Sequence, residues 1–306
     1  MSDAVLAQYV RDGVVESEHR GHLLALNADG SVNFSLGDPS HLVFPRSTVK
    51  CIQGAAMVAA GLQLEPRLLA LGASSHSGSS EHIAGVKEIL ALAKLDEGAL
   101  QCMLDKPLGE AERRAWGETP ATRIAMNCSG KHAAMLLTCV TNGWPIESYL
   151  DATHPLQVAI KGELESLAGE AITLTSTDGC GAPLFLLSLA GLARSIRAIT
   201  ISTKPAHQLV MQASRAFPEM VAGKGRLTTQ MISAVPGLYL KDGAEAVEVA
   251  SMTDGRTLVF KVSDGSLRPF RVLVHAGLAK LGIDSPYEVE NVLGGEAIIG
   301  TIRATF

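Results

Sequence analysis

Residues 51–62, Cys-Ile-Gln-Gly-Ala-Ala-Met-Val-Ala-Ala-Gly-Leu, are apolar almost all the way round a helical wheel. A helix of that kind has no face to offer to water, so other elements must enclose it on every side. Directly before it stands Phe44-Pro45-Arg46-Ser47-Thr48-Val49-Lys50. Ser47 and Lys50, three apart in the first turn, share a helix face, and hydroxyl and amine can meet there. The free N–H groups and positive dipole end of the helix favour negative charge on the serine oxygen. Burial disfavours a charged lysine, and a neutral amine can take the serine proton. This is the only Ser-x-x-Lys in the chain. Taken by itself, the tetrapeptide reads as a helix cap with Lys50 reaching solvent.

Length and composition limit the class. A chain of 306 residues can bury roughly three quarters of its unfolded surface. Hydrophobic residues at 47% and charged ones at 19% describe a globular protein, not a disordered one. Aromatics at 4% and a net charge of −5 leave neither stacking platforms nor a basic footprint, which excludes nucleic acid as a partner. Residues 1–25 lack the pattern of a signal peptide. No apolar stretch reaches the roughly 20 residues that span a bilayer. Five cysteines (51, 102, 128, 139 and 180) without an export signal read as reduced thiols, and the expected location is cytoplasmic.

Strand signals gather toward the two ends. Residues 14–37 read as a hairpin turning at Asp29-Gly30, with Glu16, Ser17, Glu18, His19 and Arg20 as a solvated face. Residues 246–252 and 256–262 read as a second hairpin about Asp254-Gly255, and residues 297–302 form an apolar tail. Helical patterns cover residues 82–95, 133–140, 153–167, 183–196, 205–222 with a break before Pro218, and 269–282. Residues 68–72 look strand-like or a tight connector. The terminal strands are expected to join in one antiparallel sheet covered by helices, an α+β arrangement.

Three further polar clusters interrupt the apolar segments. Residues 73–82, Ala-Ser-Ser-His-Ser-Gly-Ser-Ser-Glu-His, read as a surface loop with Ser79 or Ser80 capping the next helix, which leaves Ser75-His76-Ser77 unexplained. Asn127-Cys128-Ser129-Gly130-Lys131-His132 opens a buried helix. Cys128 and Lys131 share a face of its first turn, where the helix end and a neighbouring cation both favour a thiolate. Thr177-Asp178-Gly179-Cys180-Gly181 follows a strand-like run, and its glycines imply a tight turn or close approach to something bound.

Together, Arg46-Ser47-Thr48-Val49-Lys50, Ala73-Ser74-Ser75-His76-Ser77, Asn127-Cys128-Ser129-Gly130-Lys131-His132 and Thr177-Asp178-Gly179-Cys180-Gly181 resemble the Rhizobium etli-type L-asparaginases, class 3 of the asparaginase II family. The likeness extends to Val15-Glu16-Ser17, Val221-Ala222-Gly223 and Lys261. It implies a single catalytic domain over residues 1–306 with the α+β fold of serine β-lactamases and glutaminases. It further implies hydrolysis of L-asparagine to L-aspartate and ammonia, by a homodimer that has no membrane or nucleic-acid partner. Two Ser–Lys pairs, Ser47–Lys50 and Ser75–Lys261, would be catalytic, with Arg46, His132 and Asp178 lining the substrate pocket. Cys128, Lys131 and Cys180 would hold Zn2+, with Lys131 deprotonated, so metal affinity should fall with pH.

Two departures stand out: Cys51 where relatives carry proline, and an extra serine, Ser74, beside Ser75. Lys241-Asp242-Gly243 resembles the Lys-Thr-Gly strand motif of β-lactamases, which makes Lys241 a secondary candidate behind Lys261. A glutaminase on the same fold is the nearest alternative, since one methylene is worth only about 1–3 kcal/mol in a pocket. A penicillin-type acyltransferase is disfavoured by the missing export signal. A non-catalytic zinc-binding relative is disfavoured by the intact Ser–Lys pairs.

Overall fold

The computed structural model describes residues 3–286 and 288–306. An eight-stranded antiparallel sheet runs through it. From one edge to the other, the strands are Asn291–Gly294, Ala297–Ala304, Ala4–Arg11, Val14–Leu26, Thr257–Val262, Val247–Met252 and Leu238–Gly243. The eighth, Val32–Leu36, pairs with the second half of Val14–Leu26, on the side that Ala4–Arg11 takes along the first half. Both ends of the chain thus build one sheet, and the first and last strands pair directly, Ala7 opposite Ala304. The expected α+β arrangement is the one observed.

Alternation along the strands sorts side chains into two cores. Leu24, Tyr239, Val249 and Val259 face the helical middle of the chain. Leu23, Leu240, Ala250, Leu258 and Phe260 face the opposite side, under the helices Leu227–Ala234 and Phe270–Lys280. Both faces are apolar because both are covered. The same parity places Lys241 and Lys261 on the helical face and Asp242 and Glu248 on the other.

The helix Lys50–Ala59 lies within the helical layer, packed against Ser129–Asn142, Pro155–Ala168 and Pro205–Ala216, and its first eight residues are all buried. The enclosure its sequence demands is met. Both hairpins form where the Asp-Gly turns predict, with Gly30 at φ +91°. Two expectations are corrected. Residues 68–72 belong to a helix, Pro66–Gly72, started by Glu65 as cap and Pro66 in the first turn. Residues 183–188 are not helical: Pro183–Phe185 pairs with Thr175–Thr177, and Leu187–Ser188 pairs with Leu42–Val43. The helix begins only at Leu189, where the Ser188 hydroxyl accepts the Gly191 N–H. Among the described residues, no helix is long and apolar enough to cross a membrane.

Candidate active site

Pro45 leads into a tight 3-10 turn, Arg46–Val49, that feeds the buried helix. Arg46 sits at φ +52°, and Glu245 and Ala246 opposite it at +59° and +56°. Left-handed backbone at non-glycine residues costs energy and clusters where a site is over-determined by its surroundings. Gly243 closes the contact: a Cβ there would lie 3.1 Å from both the Pro45 carbonyl and the Thr48 methyl. Ser47 is thereby held against the end of the edge strand Leu238–Gly243, half-buried, and among the described residues its hydroxyl makes no hydrogen bond. Lys50 does not reach solvent, being 1% exposed. Its amine donates to the Ser74 carbonyl, to Ser75 Oγ at 3.0 Å and to Cys128 Sγ at 2.9 Å. It makes no hydrogen bond to Ser47.

Residues 73–77 are buried, not a surface loop. Ser75 and Ser77 donate their N–H groups to the carbonyls of Val221 and Ala222, and His76 donates its own to Asn127. The His76 ring is fully enclosed. Ser129 Oγ donates to the Ile124 carbonyl and so accepts from His76 Nε2 at 2.9 Å. His76 stacks on His82, with ring centroids 5.1 Å apart. Burial, with His82 and Lys50 nearby, pushes the His76 pKa well below the ordinary histidine value. A neutral, doubly held ring of this kind fixes the backbone that presents Ser75.

Cys128 directly precedes the helix Ser129–Asn142, and Lys131 lies in its first turn. Cys180 comes from the turn after the strand Thr175–Thr177, where Gly181 takes φ +87°. Lys131 Nζ donates to Cys180 Sγ at 3.1 Å. A hydrogen bond from Cys128 is the largest influence holding Cys180 well below the usual thiol range, and Lys131 and His132 add to it against burial. The same bond and burial push Cys128 well up. Burial works against the Lys131 ammonium, yet Cys180, Cys128 and Asp178 together raise its pKa. One thiolate is therefore shared between a thiol and a buried ammonium. His132 accepts from or donates to Tyr149 Oη through Nδ1 at 2.7 Å, and its buried Nε2, on the Cys180 side, has no other partner.

Two sulfurs and one amine within hydrogen-bonding reach form a donor set that suits zinc once the lysine is neutral. Among the described residues, no three His, Cys, Asp or Glu side chains gather as a metal would require. Arg46 and Asp178 pair with each other, Nε to Oδ1 at 2.7 Å.

A cavity of about 490 Å3 is lined by Ser47, Ser75, Asn127, Arg226, Asp242 and Gly243, among others. Arg226 donates to the Ser75 carbonyl and to Asp242 Oδ2, each at 2.5 Å. Lys241, 0% exposed, donates to the Asp242 carbonyl at 2.7 Å and to Asp242 Oδ1 at 2.9 Å. Burial lowers the Lys241 pKa, Asp242 opposes this, and the charges of Lys50 and Arg226 lower it further. A larger concavity, about 880 Å3, lies elsewhere, between Val58, Leu62, Leu68, Leu92 and Leu209, and neither serine lines it.

The sequence model of L-asparaginase II matches residues 7–297. The chain belongs to the L-asparaginase II family. Membership makes this L-asparaginase II family protein a hydrolase of the amidohydrolase kind. No curated protein matches the sequence. Two solved structures are similar in outline. One is a β-lactamase from Mycobacterium bovis, 14% identical with a TM-score of 0.46, covering 85% of this chain and 94% of the other. The second, provisionally assigned as a β-lactamase from Bacteroides dorei, is 15% identical with a TM-score of 0.43, covering 79% and 84%.

Of the residues singled out in the sequence, this asparaginase II chain brings Ser47 and Ser75 to one cavity. Lys50, Cys128, Lys131, Cys180 and His132 form a continuous buried group behind it, and Arg46 pairs with Asp178 beside Ser47. Among the described residues, the Lys261 amine makes no hydrogen bond to Ser75. It lies in an interior strand, paired with His22 and Val247, and its amine donates to the Val262 carbonyl. Arg226 and Asp242 went unremarked as site residues. The Lys241-Asp242-Gly243 motif pointed at the second of them, while nothing in the sequence around Arg226 marks it.

Proposed function

We propose that the chain hydrolyses the side-chain amide of L-asparagine to L-aspartate and ammonia, as the Rhizobium etli-type resemblance implies. Support comes from one observation above the rest: two serines line a single cavity, and the amine of Lys50 stands 3.0 Å from one of them. Ser47 is the more open, and its hydroxyl is uncommitted, which suits a nucleophile. Ser75 is 3% exposed and tied to Lys50, which suits a proton relay.

On this reading Ser47 Oγ attacks the amide carbon and its proton passes to Lys50, directly or through Ser75. The proton is then delivered to the departing nitrogen, so ammonia leaves and an ester to Ser47 remains. Water adds to that ester, gives up a proton along the same path, and releases aspartate with Ser47 restored. Lys241, the cation beside Asp242, takes the role that the resemblance implied for Lys261 and holds positive charge near the developing oxyanion. The Arg46–Asp178 pair flanks Ser47 and offers one partner of each sign to the substrate's carboxylate and ammonium.

Zinc, held by Cys128, Lys131 and Cys180, would supply a fixed positive charge that orients a substrate oxygen. With its Nε2 toward Cys180, His132 would keep that sulfur in place.

A second assignment has its own support, because the hydrogen bond of Lys50 is to Ser75 rather than Ser47. Mass measurement of trapped acyl-enzyme in Ser47→Ala and Ser75→Ala separates the two. Adduct in Ser75→Ala but not Ser47→Ala supports Ser47 as nucleophile; the reverse transfers the role. Ammonia release from asparagine and glutamine, side by side, tests the substrate, and no release from either would overturn the reading.

A further inference from the structure

On the other face of the sheet lies a smaller cavity of about 220 Å3, lined by Arg226, Thr228, Asp242, Glu248, Leu267, Phe270, Arg271 and Glu290 among others. It shares Arg226, Asp242 and Leu267 with the serine cavity but contains neither serine. Glu248 is 1% exposed, and its Oε1 has no hydrogen-bond partner. Glu290 Oε2 is likewise buried and unpartnered. A buried acceptor left unsatisfied forfeits the hydrogen bonds it had to water. Two such oxygens in one cavity call for a ligand with several N–H donors.

The opposite sign is also present. The helix Leu227–Ala234 opens onto the cavity with no side chain capping its first turn, which leaves N–H groups and a positive dipole end for an anion. Arg271 holds its neighbours only loosely, Glu290 at 3.7 Å and Gln230 at 3.5 Å. A lone cation would meet these donors unfavourably, and a lone anion would meet Glu248 and Glu290. A ligand carrying an ammonium and a carboxylate on adjacent atoms answers both ends. Leu267 and Phe270 supply an apolar wall for a short side chain.

We propose that this cavity binds the zwitterionic head of a small α-amino acid, its ammonium between Glu248 and Glu290 and its carboxylate at the start of the Leu227–Ala234 helix beside Arg271. Burial, and Asp242 for Glu248, raise the pKa values of both glutamates. An arriving ammonium then stabilises the carboxylate forms that burial disfavours. The two cavities meet at Arg226, Asp242 and Leu267, and Arg226 bridges Asp242 and the Ser75 carbonyl. The site stands whether or not the chain hydrolyses amides.

Glycine and L-alanine are suitable probes, because neither carries a side-chain amide that could be turned over. Each should raise the thermal midpoint of the wild-type chain in a saturable way, while methylammonium and acetate at equal ionic strength should not. Glu248→Gln and Glu290→Gln remove the negative charge at nearly constant shape, and each should weaken the apparent affinity about tenfold. Neither glutamate lines the serine cavity, so this loss separates the site from amino-acid binding beside Ser47. If glycine and L-alanine give no shift in the wild type, or bind both variants as tightly as the wild type, the inference is wrong. Titration with L-asparagine and L-aspartate in the Ser47→Ala variant then distinguishes an occupant drawn from the reaction itself from another amino acid.

Discussion

Replacing Lys241 with methionine removes a charge while preserving side-chain length, and it is the sharpest test of how the cavity is assembled. The amine of Lys241 is spent on the Asp242 carbonyl at 2.7 Å and carboxylate at 2.9 Å. Breaking a buried pair by removing one partner costs about 3–5 kcal/mol. Here Asp242 keeps Arg226 at 2.5 Å and Thr228 at 3.2 Å, and its side chain is 25% exposed. With a second cation and some water remaining, the expected loss of stability falls to about 1–3 kcal/mol. The chain should stay folded at 25 °C with a lowered urea midpoint. Activity should suffer more, because a charge held near the developing oxyanion contributes about 10²–10³ in kcat, or about 3–4 kcal/mol. Lys261→Met is the control: its amine donates to the neighbouring Val262 carbonyl and, among the described residues, makes no hydrogen bond to a serine. Its ammonia release should stay within about threefold of wild type, with a stability change near ±0.5 kcal/mol. Steady-state ammonia release from asparagine, read beside urea unfolding of each variant, separates the two effects. A Lys241→Met variant within tenfold of wild type, or a Lys261→Met variant as inactive as Lys241→Met, would refute the reassignment.

Other perturbations test other parts of the structure. Cys180→Ser should abolish stoichiometric zinc, and His132→Ala should weaken zinc binding about 10–100-fold by freeing the sulfur it faces; metal analysis after dialysis reads both. Because Lys131 and Cys128 hold their protons more firmly than usual, affinity at the proposed zinc site should fall as pH falls, and an affinity independent of pH would contradict that ligand set. Gly130→Ala places a Cβ 2.6 Å from the Leu71 carbonyl oxygen, so the helix carrying Lys131 must shift; a loss of about 1–3 kcal/mol is expected in urea unfolding. Glu248 has a folded pKa above its ordinary 4.5. Its contribution is therefore fully present below that value and is lost as pH rises toward the folded pKa. The stability of Glu248→Gln relative to wild type should accordingly grow with pH above about 4.5, and a difference constant from pH 4 to 8 would contradict the raised pKa.

Local signals in the sequence carried much of this fold. The Asp29-Gly30 and Asp254-Gly255 turns, Ser79 capping Ser80–Leu92, and the break before Pro218 all act within a few residues and were legible as such. Residues 183–188 were not, because an apolar run after proline suits a helix equally well. What makes them strands is pairing with Thr175–Thr177 and with Leu42–Val43, the latter more than 140 residues away. Residues 73–77 looked like a polar loop for a similar reason. Ser75, His76 and Ser77 are held by Val221, Ala222, Asn127 and Ser129, all distant in sequence.

The choice between Lys241 and Lys261 turns on strand order, which no local pattern encodes. Each lysine sits in a short strand among apolar residues, and parity puts both on the helical face of the sheet. The registers are also close: Lys241 lies opposite Val249, and Lys261 opposite Val247. Yet Leu238–Gly243 is an edge strand, while Thr257–Val262 is flanked on both sides, two strands inward. At about 4.8 Å per strand, that is nearly 10 Å across the sheet. Only an edge leaves room for a turn from another part of the chain to press against a strand end, as Pro45, Arg46 and Thr48 do at Gly243. Ser47 therefore meets the lysine-bearing strand that ends the sheet, and Lys261 lies two strands further in.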